Sequence, residues 1–248
     1  MRIARRVMLR MRSSRWHAHG NVYIVHEGDG SRVDATGTDG VLEVLSTEGN
    51  DISIGILNTD GSRAEMSGNG TRIAGAWLMA HTGSERARVH VGNRTVDVWR
   101  VGDGLYESRL GDVKVGPTEQ VAGVELTPVV IGNPHAVVLD DPGRIVELGP
   151  LLETHPRFPE RTNVQVARID YPGHVTARVW ERGVGETSAS GTSAVAVAAA
   201  THGEGEVVVR FPGGDLIVRL EGGTALLTGP AEPVDESPAD RDEASGES

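Results

Sequence analysis

The sequence predicts an α/β fold of the α+β kind, rich in strands and built from two halves of similar plan with one helix inside each half. Three observations predict it. Short apolar or alternating runs bounded by Gly, Asn or Asp recur along the chain and are typical of strands. Helical patterns are few. A Ser-Gly pair opens a predicted helix in each half, at Ser67 and Ser190, which lie 123 residues apart.

The predicted strands form two series, one on each side of the middle of the chain. In both series Gly, Asn or Asp residues mark the turns between neighbouring strands. The first series covers 22–25, 40–45, 52–57, 88–91 and 96–101. The second covers 127–131, 136–139, 164–169, 175–180, 207–211, 216–220 and 225–227.

Three helices are predicted between these strands. Residues 192–201 are Ala and Val almost all round, which indicates a buried helix. Residues 145–154 have a weaker amphipathic pattern. Residues 71–81 have an apolar stripe at i, i+3, i+4 and i+7, the spacing of a helix with one buried face. The residues of that stripe are Ile73, Ala76, Trp77 and Ala80.

The two ends of the chain have biased compositions. Residues 1–15 carry six Arg and no acid, whereas 231–248 carry seven acids and one Arg. We therefore expect a disordered basic extension and a disordered acidic tail. Between them we expect an N-terminal domain over 16–122 and a C-terminal domain over 123–230.

The composition excludes several classes of function. The 248 residues include no cysteine, which rules out disulfides and thiolate metal sites, and one lysine, Lys114, which argues against pyridoxal-phosphate chemistry. A net charge of −11 argues against a nucleic-acid partner. No apolar run approaches the ~18 residues of a membrane span. The histidines show no metal-ligand spacing, so we expect no metal.

A glycine-rich turn over 58–72 leads into the first helix. Such a turn exposes unpaired backbone N–H groups, and the helix dipole adds partial positive charge, so the segment suits a carboxylate or a phosphate. The alternative is an ordinary N-cap, because Ser is a favoured capping residue and glycine shapes turns.

Residues 180–192 repeat this pattern and add an acid–base pair at the end of a strand. Glu181 suits an ammonium group, and Arg182 suits a carboxylate held by two hydrogen bonds. The alternative for this pair is a surface salt bridge. Two anion-binding helix starts beside an acid and a base indicate an amino-acid ligand in a cleft between the halves.

Two shorter motifs carry asparagines at strand boundaries. Gly132-Asn133-Pro134-His135 lies between apolar strands, and Asn163 begins another strand. An asparagine side chain offers both a donor and an acceptor, which suits a zwitterionic ligand. Taken singly, each asparagine is also compatible with a simple turn.

Together these motifs resemble those of the diaminopimelate epimerase family. They are long, they occur in the family's order, and they span nearly all of residues 16–230. The matching segments are His19-Gly20-Asn21, 58–72, 132–135, Asn163, 181–192 and Thr228-Gly229-Pro230.

The resemblance implies a cofactor-independent isomerase with two pseudo-symmetric domains, each a barrel-like, mostly antiparallel sheet around a central helix. It implies two-base inversion of L,L- to meso-diaminopimelate for lysine and peptidoglycan synthesis, a cytoplasmic location and a homodimer. The implied catalytic positions are Ser67 and Ser190, with His135 and Glu181 assisting. The implied substrate-binding positions are Asn21, Asn58, Gly68, Asn69, Asn133, Asn163, Glu181, Arg182, Gly191 and Thr192.

The chain departs from the family at its two reactive positions, because the family's catalytic cysteines fall on Ser67 and Ser190. A cysteine pKa of ~8.5 falls further at a helix N-terminus, and general acid–base catalysis works best near the operating pH. A serine hydroxyl is a far weaker acid and needs a separate base. A mismatch of ~4 pKa units costs roughly 5 kcal/mol, or ~10⁴ in rate. We therefore predict slow epimerisation.

Two other hypotheses fit the same motifs. One is a relative with changed chemistry, such as another amino-acid isomerase or a dehydratase that uses Glu181 or His135 as its base. The other is a non-catalytic amino-acid binding protein in which the serines only cap their helices. Substrate scope and ligand binding without proton exchange distinguish these hypotheses.

Overall fold

The chain builds one arrangement of strands twice. The computed structural model describes residues 13–64 and 66–234. The first half contains β1 (Ser13–Ala18), β2 (Asn21–Glu27), β3 (Gly40–Glu48), β4 (Asp51–Asn58), α1 (Gly68–Thr82), β5 (Arg86–Val91), β6 (Arg94–Gly102) and β7 (Leu105–Asp112). The second contains β8 (Lys114–Val115), β9 (Glu119–Val121), β10 (Val124–Val130), β11 (Pro134–Leu139), α2 (Ile145–Glu153), β12 (Asn163–Tyr171), β13 (His174–Glu181), β14 (Gly185–Thr187), α3 (Gly191–Thr201), β15 (Gly205–Phe211), β16 (Gly214–Glu221), β17 (Thr224–Pro230) and β18 (Glu232–Pro233).

The pairing of the strands follows the same sequence in both halves. From β1 to β7 the successive pairs are antiparallel, parallel, antiparallel, parallel, antiparallel and antiparallel. The series β10, β11, β12, β13, β15, β16 and β17 repeats that order. In each half the long helix lies between the fourth and fifth strands of the series. The predicted α+β class and the two-fold plan are therefore confirmed.

The two halves share one continuous sheet. Strand β7 of the first half pairs with β17 of the second in antiparallel register, from Leu105 opposite Pro230 to Asp112 opposite Thr224. A second link joins β1 to β18. The shared sheet fixes the halves relative to one another, so side chains from both can build one site.

The long helices form the centre of the fold. Every residue of α3 from Gly191 to Ala199 is buried, as its all-round Ala and Val composition predicts. Helix α1 is buried on all sides from Gly68 to Met79, so the prediction of a single apolar face was too narrow. Ala80, assigned to that face, is exposed because the last turn of α1 emerges from the sheet.

A smaller core lies outside the main one, where α2 packs on the outer side of the second half. Ile145, Leu148 and Leu152 of this helix are fully buried against β11 and β12. The helix matches the weaker pattern predicted over 145–154 and ends one residue earlier. No helix in the described part of the chain is long and apolar enough to cross a membrane.

The structure corrects both predicted ends of the folded region. Ser13–Arg15, expected in the basic extension, begin β1, which pairs along its length with β2 and buries Trp16. Residues 232–234, expected in the acidic tail, pair with β1 instead, and the Val234 N–H donates to the Arg15 carbonyl at 2.8 Å. At both boundaries, hydrogen bonding between backbone groups orders residues whose polar composition alone predicts disorder. The rest of the two predicted disordered ends lies outside the described residues.

The N-termini of α1 and α3 meet where the halves join. A Cβ atom placed on Gly68 would lie 3.2 Å from the Cα of Gly191, and one on Gly191 would lie 3.3 Å from the Cα of Gly68. The Gly191 position would also bring a Cβ within 2.7 Å of the Leu227 side chain. Only glycine at both positions allows this backbone approach.

We expect Gly68→Ala to lower the free energy of unfolding by ~1–3 kcal/mol, because the new methyl group meets the backbone of the opposing helix, which cannot move aside without shifting the core. Chemical denaturation measures the change. The matched control is Gly102→Ala, whose Cβ would meet only the Leu105 side chain at 3.5 Å. Equal stabilities for the two variants would contradict the proposed constraint.

Candidate active site

A cleft of about 310 Å³ opens directly above the meeting point of the two helices. Its lining comes from both halves of the chain and includes all but one of the residues that the sequence predicts for the site. Those residues are Asn21, Asn58, Ser67, Gly68, Asn69, Asn133, Asn163, Glu181, Arg182, Ser190, Gly191 and Thr192. The exception is His135, which is buried behind the cleft.

The two predicted catalytic serines occupy equivalent places in the two halves. Each is the N-cap residue of its helix, with an extended backbone. The Ser67 Oγ accepts a hydrogen bond from the Gly70 N–H at 3.0 Å, as a helix cap does. The Ser190 hydroxyl makes no such bond. The capping alternative therefore describes Ser67 in part and does not describe Ser190.

Positive charge is concentrated beneath the cleft. Both helix N-termini direct their dipoles toward it. The guanidinium of Arg72, in the second turn of α1, is fully buried, and burial lowers its pKa to about 10, so it stays charged at neutral pH. Among the described residues Arg72 forms no ion pair, and its Nη1 has no hydrogen-bond partner. This environment favours an anionic group, such as a carboxylate, in the cleft.

A hydrogen-bonded relay runs from α1 to the cleft wall. The Arg72 Nη2 donates to the Oδ1 of Asn69 at 2.7 Å, and the Asn69 Nδ2 donates to the Oδ1 of Asn21. Because a guanidinium can only donate, this chain fixes both amide orientations. It leaves the Asn21 Nδ2 available to donate to a ligand.

A second relay runs from α3 through His135. The Gln165 Nε2 donates to the Ser193 Oγ at 2.9 Å and to the His135 Nδ1 at 3.0 Å. The ring proton therefore lies on Nε2, which donates to the Asn133 Oδ1 at 2.9 Å. Burial lowers the pKa of His135 to about 3, so the ring is neutral. His135 thus orients Asn133 and does not contact a ligand in the cleft itself.

The turn after β13 carries the predicted acid–base pair and is fixed from below. Asn163 accepts from the Arg182 N–H at 3.0 Å and donates to the Pro134 carbonyl at 2.9 Å. The buried carboxylate of Glu153 in α2 accepts from the Trp180 ring N–H at 2.8 Å and from the Gly183 N–H at 2.7 Å. The turn is therefore held rigidly against two secondary-structure elements.

Glu181 lies in the cleft wall beside Ser190. Burial raises the pKa of its carboxyl group, while hydrogen bonds from the Thr187 hydroxyl, at 2.6 Å, and from Ser190 oppose that rise. A carboxyl group with a raised pKa beside a hydroxyl is a suitable proton acceptor near neutral pH. Asp39 adds a second negative charge to the lining.

Two further arginines line the cleft in addition to Arg182. The Arg63 guanidinium forms an ion pair with the buried Glu43 carboxylate at 2.5 Å, which neutralises much of its charge. Arg94 crosses from β6 to the second half, where its guanidinium lies over Gly132. Within the described ranges, 13–64 and 66–234, no cluster of three or more His, Asp or Glu residues is arranged to hold a metal ion.

The sequence did not identify several residues that shape this site. Tyr23 lies in an apolar strand and fits the sequence pattern of a core residue, although its hydroxyl reaches the cleft. A polar residue inside the apolar run Val164-Gln165-Val166 was a detectable signal for the second relay. The other residues that sequence reasoning missed are Asp39, Arg72, Arg94, Glu153 and Thr187.

The comparisons with known proteins agree with this geometry. Residues 127–234 match the family model described as diaminopimelate epimerase. A diaminopimelate epimerase from Synechococcus sp. (strain JA-3-3Ab) is 39% identical over 234 residues, covering 80% of this chain and 82% of the relative. One from Desulforudis audaxviator (strain MP104C) is 34% identical over 273 residues, covering 90% and 97%.

Solved structures resemble the chain in fold at low sequence identity. A predicted epimerase from Pseudomonas aeruginosa has a TM-score of 0.68 at 16% identity and covers 91% of this chain and 97% of its own. A hydroxyproline epimerase from Agrobacterium vitis with bound trans-4-hydroxy-L-proline has a TM-score of 0.68 at 15% identity, covering 90% and 89%.

The neutral state of His135 predicts a pH-dependent stability. The folded-state pKa, about 3, lies below the unfolded value of ~6.5, so this group's contribution is complete above pH ~6.5 and is lost as the pH falls toward 3. Wild-type stability minus that of His135→Gln should therefore decrease by up to ~1.4 kcal/mol per pH unit between pH 6 and 4. Urea denaturation across that range measures it, and a pH-independent difference would refute the assignment.

Glu153→Gln should loosen the turn that carries Glu181 and Arg182, because an amide nitrogen cannot accept the bonds that the second carboxylate oxygen accepts. We expect a loss of ~1–3 kcal/mol in unfolding free energy and weaker ligand binding by calorimetry. The control is Glu147→Gln on the same helix, where the carboxylate is exposed and pairs only with Arg144. The control should change stability by less than ~0.5 kcal/mol.

Proposed function

This chain belongs to the diaminopimelate epimerase family, and from that premise we propose that its cleft binds diaminopimelate and inverts one α-carbon without a cofactor. The enzyme class is then an isomerase that interconverts the L,L and meso forms. The observation that carries the proposal is the meeting of two helix N-termini, one from each half and each preceded by a serine, in a single cleft.

The charges in the cleft fit a substrate that is an amino acid at both ends. The helix N-termini and the buried Arg72 suit the carboxylate next to the reacting carbon, because they supply fixed N–H donors and positive charge. Arg182 and Glu181 lie on the adjoining wall and suit the carboxylate and ammonium groups of the distal end. The donor amides of Asn21 and Asn133 add two directed hydrogen bonds.

The same positive environment supports the chemical step. Removing an α-proton puts negative charge on the carboxylate as it becomes enolate-like, and preorganised donors stabilise such charge strongly in a site with little water. A two-base inversion also needs a proton acceptor and a proton donor on opposite faces of the carbon. Ser67 and Ser190, one from each half, are our candidates for these positions.

The two serine hydroxyls determine the expected rate of epimerisation. Serine is a much weaker acid than cysteine, so we propose that the chain turns over slowly and depends on neighbouring groups to move protons. By analogy with the named relatives, the product would serve lysine and peptidoglycan synthesis. A cytoplasmic location and a homodimer stay predictions from the resemblance.

We expect the double variant Ser67→Cys/Ser190→Cys to epimerise L,L-diaminopimelate at least 10²-fold and up to ~10⁴-fold faster than the natural chain. The thiols should remove most of the pKa mismatch, since both lie at helix N-termini. Deuterium incorporation at the α-carbon in D₂O, followed by mass spectrometry, measures the rate.

The control is Ser46→Cys, which places a thiol on an exposed strand position far from the cleft and should leave the rate unchanged. Tight binding of diaminopimelate with no exchange in the double variant would instead favour a non-catalytic binding protein. Exchange of proline derivatives without binding of diaminopimelate would favour a relative with changed chemistry.

A further inference from the structure

Tyr23 lies next to one of the two serines and has no place in the function proposed above. The residue is buried in β2, and its Oη lies 3.4 Å from the Ser67 Oγ. Among the described residues Ser67 is the hydrogen-bond partner of this hydroxyl. The neighbouring Gly40 leaves room for the ring, because a Cβ there would lie 3.3 Å from the Tyr23 Cε1.

The hydrogen bonds around Ser67 limit where its proton can point. Its Oγ already accepts from the Gly70 N–H. The Tyr23 hydroxyl lines the cleft, and in its neutral form it can donate to the same oxygen. When Tyr23 is the donor, the Ser67 oxygen accepts twice and its own proton is directed into the cleft.

The surroundings of Ser190 give the opposite result. Its oxygen accepts no capping bond from α3. Glu181 lines the same cleft, and its carboxylate in the ionised form can only accept. In a hydrogen bond between the two, Ser190 is therefore the donor and presents its lone pairs to the cleft.

We propose that the site is polarised: Tyr23 is a positioning residue that makes Ser67 the proton donor and resupplies its proton, while Ser190 accepts the substrate proton and passes its own to Glu181. This inference rests on the proposed epimerase function and names the groups that replace the thiols. Tyr23 and Glu181 come from different halves of the chain, one beside each serine.

The proton balance of one inversion is complete with these four groups. The α-carbon C–H bond breaks, its proton goes to the Ser190 Oγ as the Ser190 proton moves to Glu181, and the electron pair stays on the substrate. A new C–H bond forms on the other face with the Ser67 proton, and Ser67 takes the proton of Tyr23. The resulting phenolate and carboxylic acid return to their starting forms by exchange with water.

The relative acidities of the tyrosine and serine hydroxyls agree with proton transfer from Tyr23 to Ser67. Burial is the largest cause of the rise in the pKa of Tyr23 to about 12. A phenol at that value is still a stronger acid than an aliphatic alcohol, so it can reprotonate a serine alkoxide. Transfer through such a weak acid is slow, in agreement with the slow turnover proposed above.

The test compares Tyr23→Phe in two backgrounds. In Ser190→Cys, where a thiol removes the proton and Ser67 still delivers one, we expect Tyr23→Phe to slow deuterium incorporation from diaminopimelate by ~10²-fold. In Ser67→Cys/Ser190→Cys, where a thiol replaces Ser67, the same change should cost about two-fold. The control in both backgrounds is Tyr106→Phe, a buried tyrosine outside the cleft lining.

Equal losses in both backgrounds would overturn the inference, because they indicate a structural role for the phenol. Absence of exchange in Ser190→Cys, with turnover in the double-cysteine variant, would also overturn it, because Ser67 would then deliver no proton. An inactive double-cysteine variant is the separate failure of the proposed function.

A second measurement keeps the inference testable without activity. The chain has three tyrosines, so ¹³Cζ labelling gives three resolvable signals. Ser67→Ala should shift the Tyr23 signal and leave those of Tyr106 and Tyr171 in place. An unchanged Tyr23 signal would show that the hydrogen bond does not exist in solution and would overturn the inference.

Discussion

The contact between the two helix N-termini at Gly68 and Gly191 is the constraint on which the rest of the site depends. Helices normally keep 8–10 Å between their axes because their side chains separate them. Here two backbones approach end to end within van der Waals distance because neither residue has a Cβ. The approach adds the two dipoles at one point and places Ser67 and Ser190 in one cleft. A side chain at either position would move the two helix N-termini and their serines apart.

Such a concentration of N–H donors and positive charge needs support from groups that cannot turn away. Two relays provide it, each starting in the first turns of a central helix and ending on a cleft asparagine. Arg72 orients Asn21 through Asn69, and Gln165 orients Asn133 through His135. Buried polar chains of this kind are stable only when nearly every member is satisfied. The Nη1 of Arg72 and the Oε1 of Gln165 are the exceptions among the relay members, and the first lies where positive potential is useful.

The sequence predicted the features that short-range residue patterns determine. It did not predict the features that depend on which strands pair and in what register. Strand cores, helix positions and the cleft residues beside glycine-rich turns follow from spacing and turn chemistry. Tyr23 could not be assigned to the site, because an aromatic residue in an apolar run satisfies the pattern of a core position. The burial of His135 was not predicted either, because the parallel pairing of β11 with β12 places it behind Asn133 rather than in the cleft.

The duplicated arrangement of strands also explains how the two serines come to have different roles. Tyr23 pairs with the first residue of β3, and His135 pairs with the first residue of β12, so these two side chains occupy equivalent places. The ends of β4 and β13 are equivalent in the same way and carry Asn58 and Glu181. In a site with two thiols such differences would matter little, because each thiol has a pKa suited to either role. With two hydroxyls the neighbouring residues determine which oxygen holds a proton. Divergence at two equivalent pairs of positions is therefore sufficient to convert a symmetric pair of serines into a donor and an acceptor.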